Sequence, residues 1–240
     1  MIKKKYAYLA LCLALVVVAV MVSIALAEPT VAHRSLIGFF KFLATVAIAL
    51  YAFLSLSRTS LKPWAATFLI LAIASEALCD FLIEFNFVLG GTFSIIGMAF
   101  YSLSFLQYRE SGRASAINAG RVALPAIALT GAFFAVQAVA LRLTGGSFIV
   151  GTDGVFIIYM FILSLTAAIS YGYRAPAALR AAITLFYVSD YVVYFQMAFG
   201  HRPAFRVANA ILYYGAQACF VFLVFNPRSP EAKVDMAKIR

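Results

Sequence analysis

Charged residues are scarce in this chain, and their scarcity excludes most classes of soluble protein. Of its 240 residues, 12% are charged and 65% are hydrophobic, whereas soluble domains contain roughly 25% charged residues. The apolar runs are continuous, and they lack the alternation with polar residues that the strands of a membrane β-barrel show. We therefore predict an all-α integral membrane protein.

Residues suited to metal binding or nucleophilic chemistry are also few. Cys12, Cys79 and Cys219 all fall in apolar runs, without CxxC or Cys/His spacing. His33 and His201 lie in predicted loops without a second ligand nearby in sequence. No GxSxG, HExxH, P-loop or dinucleotide-binding motif is present. We expect neither a metal nor an organic cofactor. The net charge of +10 does not indicate nucleic-acid binding, because the basic residues lie between and beyond the apolar runs.

The chain instead contains eight apolar stretches of about the ~20 residues that span a bilayer. They are predicted at 6–27, 36–57, 63–85, 87–107, 122–142, 154–173, 177–199 and 206–226. We interpret the first as an uncleaved helix, because its apolar run exceeds the ~7–15 residues of a signal peptide. Residues 84–86 alone separate two spans and predict a tight hairpin, and Gly90 and Gly91 then predict close helix approach. These spans form one predicted membrane domain, 1–226, followed by a polar tail, 227–240.

Basic residues predict the orientation of the spans. With the N-terminus inside, the inner segments hold 14 of the 19 lysines and arginines and the outer segments hold 4, as the positive-inside rule requires. Both termini are therefore predicted to be cytoplasmic. The compact chain with short loops favours a bacterial inner membrane, and the alternative is a eukaryotic endomembrane. At ~1.5 Å per residue, the charges inside spans fall in the outer half of the bilayer.

Three carboxyl groups inside the spans are the main candidates for function. Glu76 and Asp80 lie on one face of the third span, where each costs at least ~2.5 kcal/mol. Asp190 in the seventh span reaches a depth similar to that of Asp80, and two such carboxyl groups can divide acid and base roles. Lys41 could keep one of them ionised or pair with Glu76. The alternative is an ion-pair network that only locks the helices together.

Several uncharged residues are candidates to surround these carboxyl groups. Tyr101, Tyr213 and Tyr214 could line a lipid pocket, although simple packing is the alternative for each tyrosine. Ser189 and Gln217 are typical of interhelical hydrogen-bond partners.

Short motifs in a fixed order carry a resemblance to a known family. Residues 74–80 are followed by Gly91 and an aromatic pair at 100–101, and residues 186–190 are followed by 213–217. With Phe40-Lys41 and Tyr159, this set resembles the YhhN membrane family over roughly residues 36 to 226, with an eight-helix layout. The chain departs from the family pattern at four positions. These are Met98 in place of histidine, Cys79 in place of glycine, Phe42 in place of proline, and Glu76, which is an additional acid.

The resemblance implies an activity, because the characterised members of this family are lysoplasmalogenases. They hydrolyse the vinyl ether bond of a lysoplasmalogen to a fatty aldehyde and a glycerophospho-head group. Asp80 and Asp190 would then be the catalytic pair. The implied contacts to the lysophospholipid or ether-lipid substrate are Lys41, Glu76, Tyr101, Ser189, Tyr213, Tyr214 and Gln217. The alternative is a non-enzymatic lipid-binding or transport protein that uses the same pocket, and Met98 favours that alternative.

Overall fold

The structure is a computed structural model, and it describes most of the chain from residue 31 onward. The described residues are 11, 14–18, 21, 22, 25, 31–56, 59, 61–107, 119–145, 150–173, 175–200 and 202–223. Most of the predicted first span and all of the predicted tail lie outside the described residues.

From residue 31 the described residues form seven α-helices and a π-helical turn. The helices are α1 (Val31–Leu54), α2 (Pro63–Leu82), α3 (Phe87–Phe105), α4 (Ala119–Thr144), α5 (Val150–Gly172), α6 (Ala177–Phe199) and α7 (Pro203–Ala218). The π-helical turn, Cys219–Leu223, continues α7 directly. This part of the chain contains no strand, which confirms the predicted all-α class. Six of its helices, α1 to α6, are long and apolar enough to cross a membrane.

The helical hairpin between α2 and α3 is closed by a short turn and a glycine. The predicted third span runs to residue 85, but α2 ends at Leu82, because residues 83–85 form the turn. Asn86 caps α3 by accepting a hydrogen bond from the backbone N–H of Leu89 at 3.0 Å. A Cβ atom on Gly90 would lie 2.6 Å from the backbone N and Cα of Ile83. Glycine at position 90 therefore lets the two helices meet backbone to backbone.

The helices pack against one another around the centre of the bundle. α2 packs against both α1 and α3, α5 packs against α3, α4 and α6, and α6 packs against α7. Tyr101 of α3 stacks on Phe220 of the π-helical turn, with ring centroids 4.5 Å apart, and Phe186 of α6 contacts both rings. Large apolar side chains on α4 point outward instead, and Leu124 is 70% exposed. Such outward apolar faces are expected where lipid is the solvent.

Candidate active site

A cavity of about 400 Å³ lies among α1, α2, α3, α5, α6 and α7. Six of the nine predicted site residues line it: Lys41, Glu76, Asp80, Asp190, Tyr213 and Tyr214. These side chains come from four helices, α1, α2, α6 and α7. Apolar side chains form much of the remaining wall, including Ile37, Val155, Phe156, Val193 and Met197. The structure therefore contains a largely apolar cavity into which a cluster of polar side chains is gathered.

Each aspartate in this cavity accepts a hydrogen bond from a hydroxyl group on a neighbouring helix. Thr45 of α1 donates to Oδ2 of Asp80 at 2.5 Å. Tyr159 of α5 donates to Oδ2 of Asp190 at 2.7 Å. Both aspartates are 8% exposed. Because a fixed donor orients each carboxyl group, the two groups present defined oxygen atoms to anything that enters the cavity.

Glu76 is the most deeply buried of the three carboxyl groups, with 1% of its surface exposed. Ser94 of α3 lies 3.1 and 3.0 Å from its two carboxyl oxygens, and Tyr213 donates to Oε2 at 3.4 Å. A Cβ atom on Gly97 would lie 2.7 Å from Oε1, so glycine at position 97 makes room for this carboxyl group. Hydrogen bonds therefore hold the Glu76 carboxyl group in place, and the lack of a side chain at position 97 of α3 leaves space for it.

Lys41 forms an ion pair with Glu84, in the turn between α2 and α3. The ion pair is part-buried, since the two side chains are 26% and 19% exposed. The sequence analysis considered Glu76 or one of the aspartates as the partner of Lys41, and not Glu84. The structure differs because Glu84 lies in the turn beyond α2, where α1 passes close by. Gly38 of α1 allows this approach, since its Cβ position lies 3.1 Å from the backbone oxygen of Phe81.

Three of the predicted site residues do not line the cavity. The ring of Tyr101 lies in the aromatic stack with Phe220. Ser189 donates to Oδ1 of Asn209 at 2.7 Å and so links α6 to α7. Gln217 is fully buried, and its side-chain amide has no hydrogen-bond partner among the described residues. For Tyr101 and Ser189, the packing and interhelical roles considered as alternatives match these positions.

Sequence reasoning missed Thr45 and Ser94, although helical spacing contained a signal for both. Thr45 follows Lys41 by four residues and therefore shares its helix face. Ser94 precedes Gly97 by three residues, in a helix that opens with two other glycines. For Thr45 the available clue was a small hydroxyl residue one turn from a candidate site residue, and for Ser94 it was a small hydroxyl residue among the glycines of an apolar helix.

The helical bundle and its carboxyl-lined cavity define a polytopic membrane protein with a polar site inside the bundle. The chain belongs to the YhhN family, whose family model matches residues 36–224. That match confirms the resemblance drawn from the motifs, and it includes all nine predicted site residues. No curated protein and no solved structure matches the chain.

Proposed function

We propose that this protein is a lysoplasmalogenase-like membrane hydrolase. It cleaves the vinyl ether bond of a lysoplasmalogen and releases a fatty aldehyde and a glycerophospho-head group. The observation that carries the proposal is that Asp80 and Asp190, from two helices, both line one largely apolar cavity. Each is oriented by a hydroxyl group from a third or fourth helix.

Vinyl ether hydrolysis needs an acid and a carboxylate, and two carboxyl groups can supply both. One, as the neutral acid, protonates the β-carbon of the vinyl ether, and an oxocarbenium ion forms. The other, as a carboxylate, stabilises that cation and takes a proton from the water that adds to the α-carbon. The resulting hemiacetal collapses to the aldehyde and the free glycerol hydroxyl. The reaction consumes one water and returns the proton, so it needs no redox partner.

The cavity suits a substrate that is apolar at one end and polar at the other. Its volume of about 400 Å³ lies within the range of ~300–1,000 Å³ typical of small-molecule sites. The apolar wall accommodates the start of a hydrocarbon chain, while the carboxyl groups and Tyr213 surround the reacting bond. An apolar wall also strengthens electrostatic interactions with a developing cation.

The proposal includes a membrane topology of eight spans with both termini in the cytoplasm of a bacterial cell. The excess of basic residues in the inner segments supports this orientation. α7 and the π-helical turn together form 21 consecutive helical residues, Pro203 to Leu223, which is about the ~20 residues of a span. A C-terminal green fluorescent protein should therefore fluoresce, and a periplasmic phosphatase fused there should be inactive. The opposite pattern would contradict the topology.

Aldehyde release from a lysoplasmalogen by the detergent-purified protein tests the function. Asp80→Asn and Asp190→Asn should each reduce the rate by about 100-fold or more, the usual contribution of an acid or base. Asp153→Asn is the matched control. Asp153 is a buried aspartate of α5 that accepts a hydrogen bond from Gln137 at 3.1 Å and does not line the cavity. This control should keep a rate close to that of the wild type.

Two outcomes would contradict the proposal. Undiminished turnover by folded Asp190→Asn protein would remove the carboxyl pair from the mechanism. No aldehyde from folded wild-type protein, together with stabilisation by the same lipid, would favour the lipid-binding or transport alternative.

A further inference from the structure

We propose that Arg34 and Arg206 form a phosphate-binding subsite of the cavity, which takes the phosphate of a lysophospholipid. The identity of the lipid rests on the proposed function. The subsite itself rests on the placement of two arginines in the wall of the cavity. Both arginines line the same cavity as Asp80 and Asp190.

The two arginines occupy corresponding positions on two helices. Arg34 precedes Lys41 by seven residues on α1, and Arg206 precedes Tyr213 by seven residues on α7. Seven helical residues rise about 10 Å. Arg206 therefore starts two turns away from Tyr213, which contacts Glu76. Arg34 starts two turns from the ion pair of Lys41 with Glu84, and about three turns from Thr45, which contacts Asp80.

Contacts between helices place both arginines at the same end of the bundle. On α1, Gly38 lies one turn from Arg34 and packs beside Glu84 in the turn between α2 and α3. On α7, the residue before Arg206 accepts a hydrogen bond from the side chain of Gln196, near the end of α6, at 3.4 Å. This end of the bundle therefore holds both the α2–α3 turn and the connection between α6 and α7.

The polar side chains at this end of the bundle make the cavity better suited to a phosphate group than its carboxyl groups alone would make it. Guanidinium groups offer paired donors that match phosphate oxygens, and they remain charged at any working pH. The side-chain amides of Gln196 and Asn209 line the cavity as well. Lys41, the third cation that lines the cavity, offers a single ammonium group instead of the paired donors of a guanidinium group. The two arginines are therefore the side chains of the described cavity whose shape best matches a phosphate.

The dimensions of a lysoplasmalogen match the spacing between arginines and carboxyl groups. Seven bonds separate its phosphorus atom from the vinyl ether β-carbon, which is about 8 Å in an extended chain. Along the helices, the backbone of Arg206 starts about 10 Å from Tyr213 and that of Arg34 starts about 16 Å from Thr45, the residues that contact Glu76 and Asp80. The long arginine side chains can cover the remainder. A phosphate held by the arginines would therefore set the vinyl ether beside the aspartates.

Binding of uncleavable lipids tests the subsite without any need for turnover. The probes are a 1-alkyl lysophospholipid, whose ether is saturated, and the corresponding 1-alkylglycerol, which lacks the phosphate. Arg34→Gln and Arg206→Gln should each weaken binding of the lysophospholipid by about tenfold. Neither should change the affinity for the alkylglycerol by more than about twofold. Arg142→Gln is the matched control, because Arg142 is exposed at the end of α4 and does not line the cavity.

Three results would overturn the subsite. The double arginine variant could bind the lysophospholipid as tightly as the wild type. Both probes could lose affinity equally, which would mean that the arginines only offset the charge of the carboxyl groups. Inorganic phosphate alone could bind as tightly as the lysolipid, which would identify a small-anion site. Absence of aldehyde release would count against the hydrolase and leave these binding results unaffected.

Discussion

The close approach of the backbone at Gly90 to that of Ile83 gives a sharp prediction about stability. Gly90→Ala would place a methyl group 2.6 Å from two backbone atoms of Ile83. Ordinary contacts between such atoms lie at about 3.5–4.0 Å, so α2 and α3 would have to separate by roughly 1 Å. Backbone atoms cannot rotate away as a side chain can, and the hairpin turn restricts any sliding of the two helices.

The free energy of unfolding should therefore fall. Overpacking of this kind costs about 1–3 kcal/mol or more. Alanine recovers at most about 1 kcal/mol through its higher helix propensity. Gly131→Ala is the matched control, because Gly131 lies inside α4 with no atom within 4 Å of its Cβ position. That variant keeps the propensity gain and meets no obstacle, so its stability should be unchanged or slightly higher.

Cys79 provides the assay, because it is buried in α2 and 6% exposed. In a background where Cys12 and Cys219 are replaced by alanine, a thiol-reactive dye reports the temperature at which α2 becomes accessible. The midpoint for Gly90→Ala should fall by about 2–4 °C for each kcal/mol lost. A Gly90→Ala midpoint equal to or above that of Gly131→Ala would refute the backbone-contact argument.

Two further predictions concern the polar cavity. Tyr159→Phe removes the hydroxyl that holds Asp190 and should lower aldehyde release by about 10-fold or more, whereas Tyr171→Phe, at an exposed position of the same helix, should leave the rate nearly unchanged. Loss of aldehyde release in Tyr171→Phe but not in Tyr159→Phe would contradict the assigned hydrogen bond between Tyr159 and Asp190. Lys41→Met should lower the free energy of unfolding by about 1–3 kcal/mol, because it leaves the Glu84 carboxylate part-buried without its cation. Adding Glu84→Gln should restore most of that loss in the dye assay, and no restoration would mean that the ion pair is not what Lys41 contributes.

Helical periodicity and hydropathy made part of the candidate site predictable. The period of 3.6 residues puts Glu76 and Asp80 on one face, and the rise per residue puts Asp80 and Asp190 at similar depth. Both arguments use distances along individual helices, and these distances can be calculated from the sequence. The hairpin at residues 84–86 was predictable for the same reason, because a short polar break between two apolar runs is a local signal.

The partner of Lys41 was not predictable in this way. Glu76, Asp80 and Glu84 are all within reach of a lysine on a neighbouring helix when only depth is known. The choice depends on the rotation of α1 about its own axis, and in the structure Gly38 of α1 faces the end of α2 and the side chain of Glu84. The same rotation brings Thr45 onto Asp80.

The sequence by itself determined the all-helical membrane class, the approximate helix bounds and the cost of burying three carboxyl groups. These properties follow from composition and from local periodicity. The tertiary structure alone decided which helices are neighbours, and hence which hydroxyl orients each aspartate. It also decided that two arginines from distant parts of the chain line the same cavity. Helix neighbours are set by side-chain packing between segments far apart in sequence, and that packing leaves no local signal along the chain.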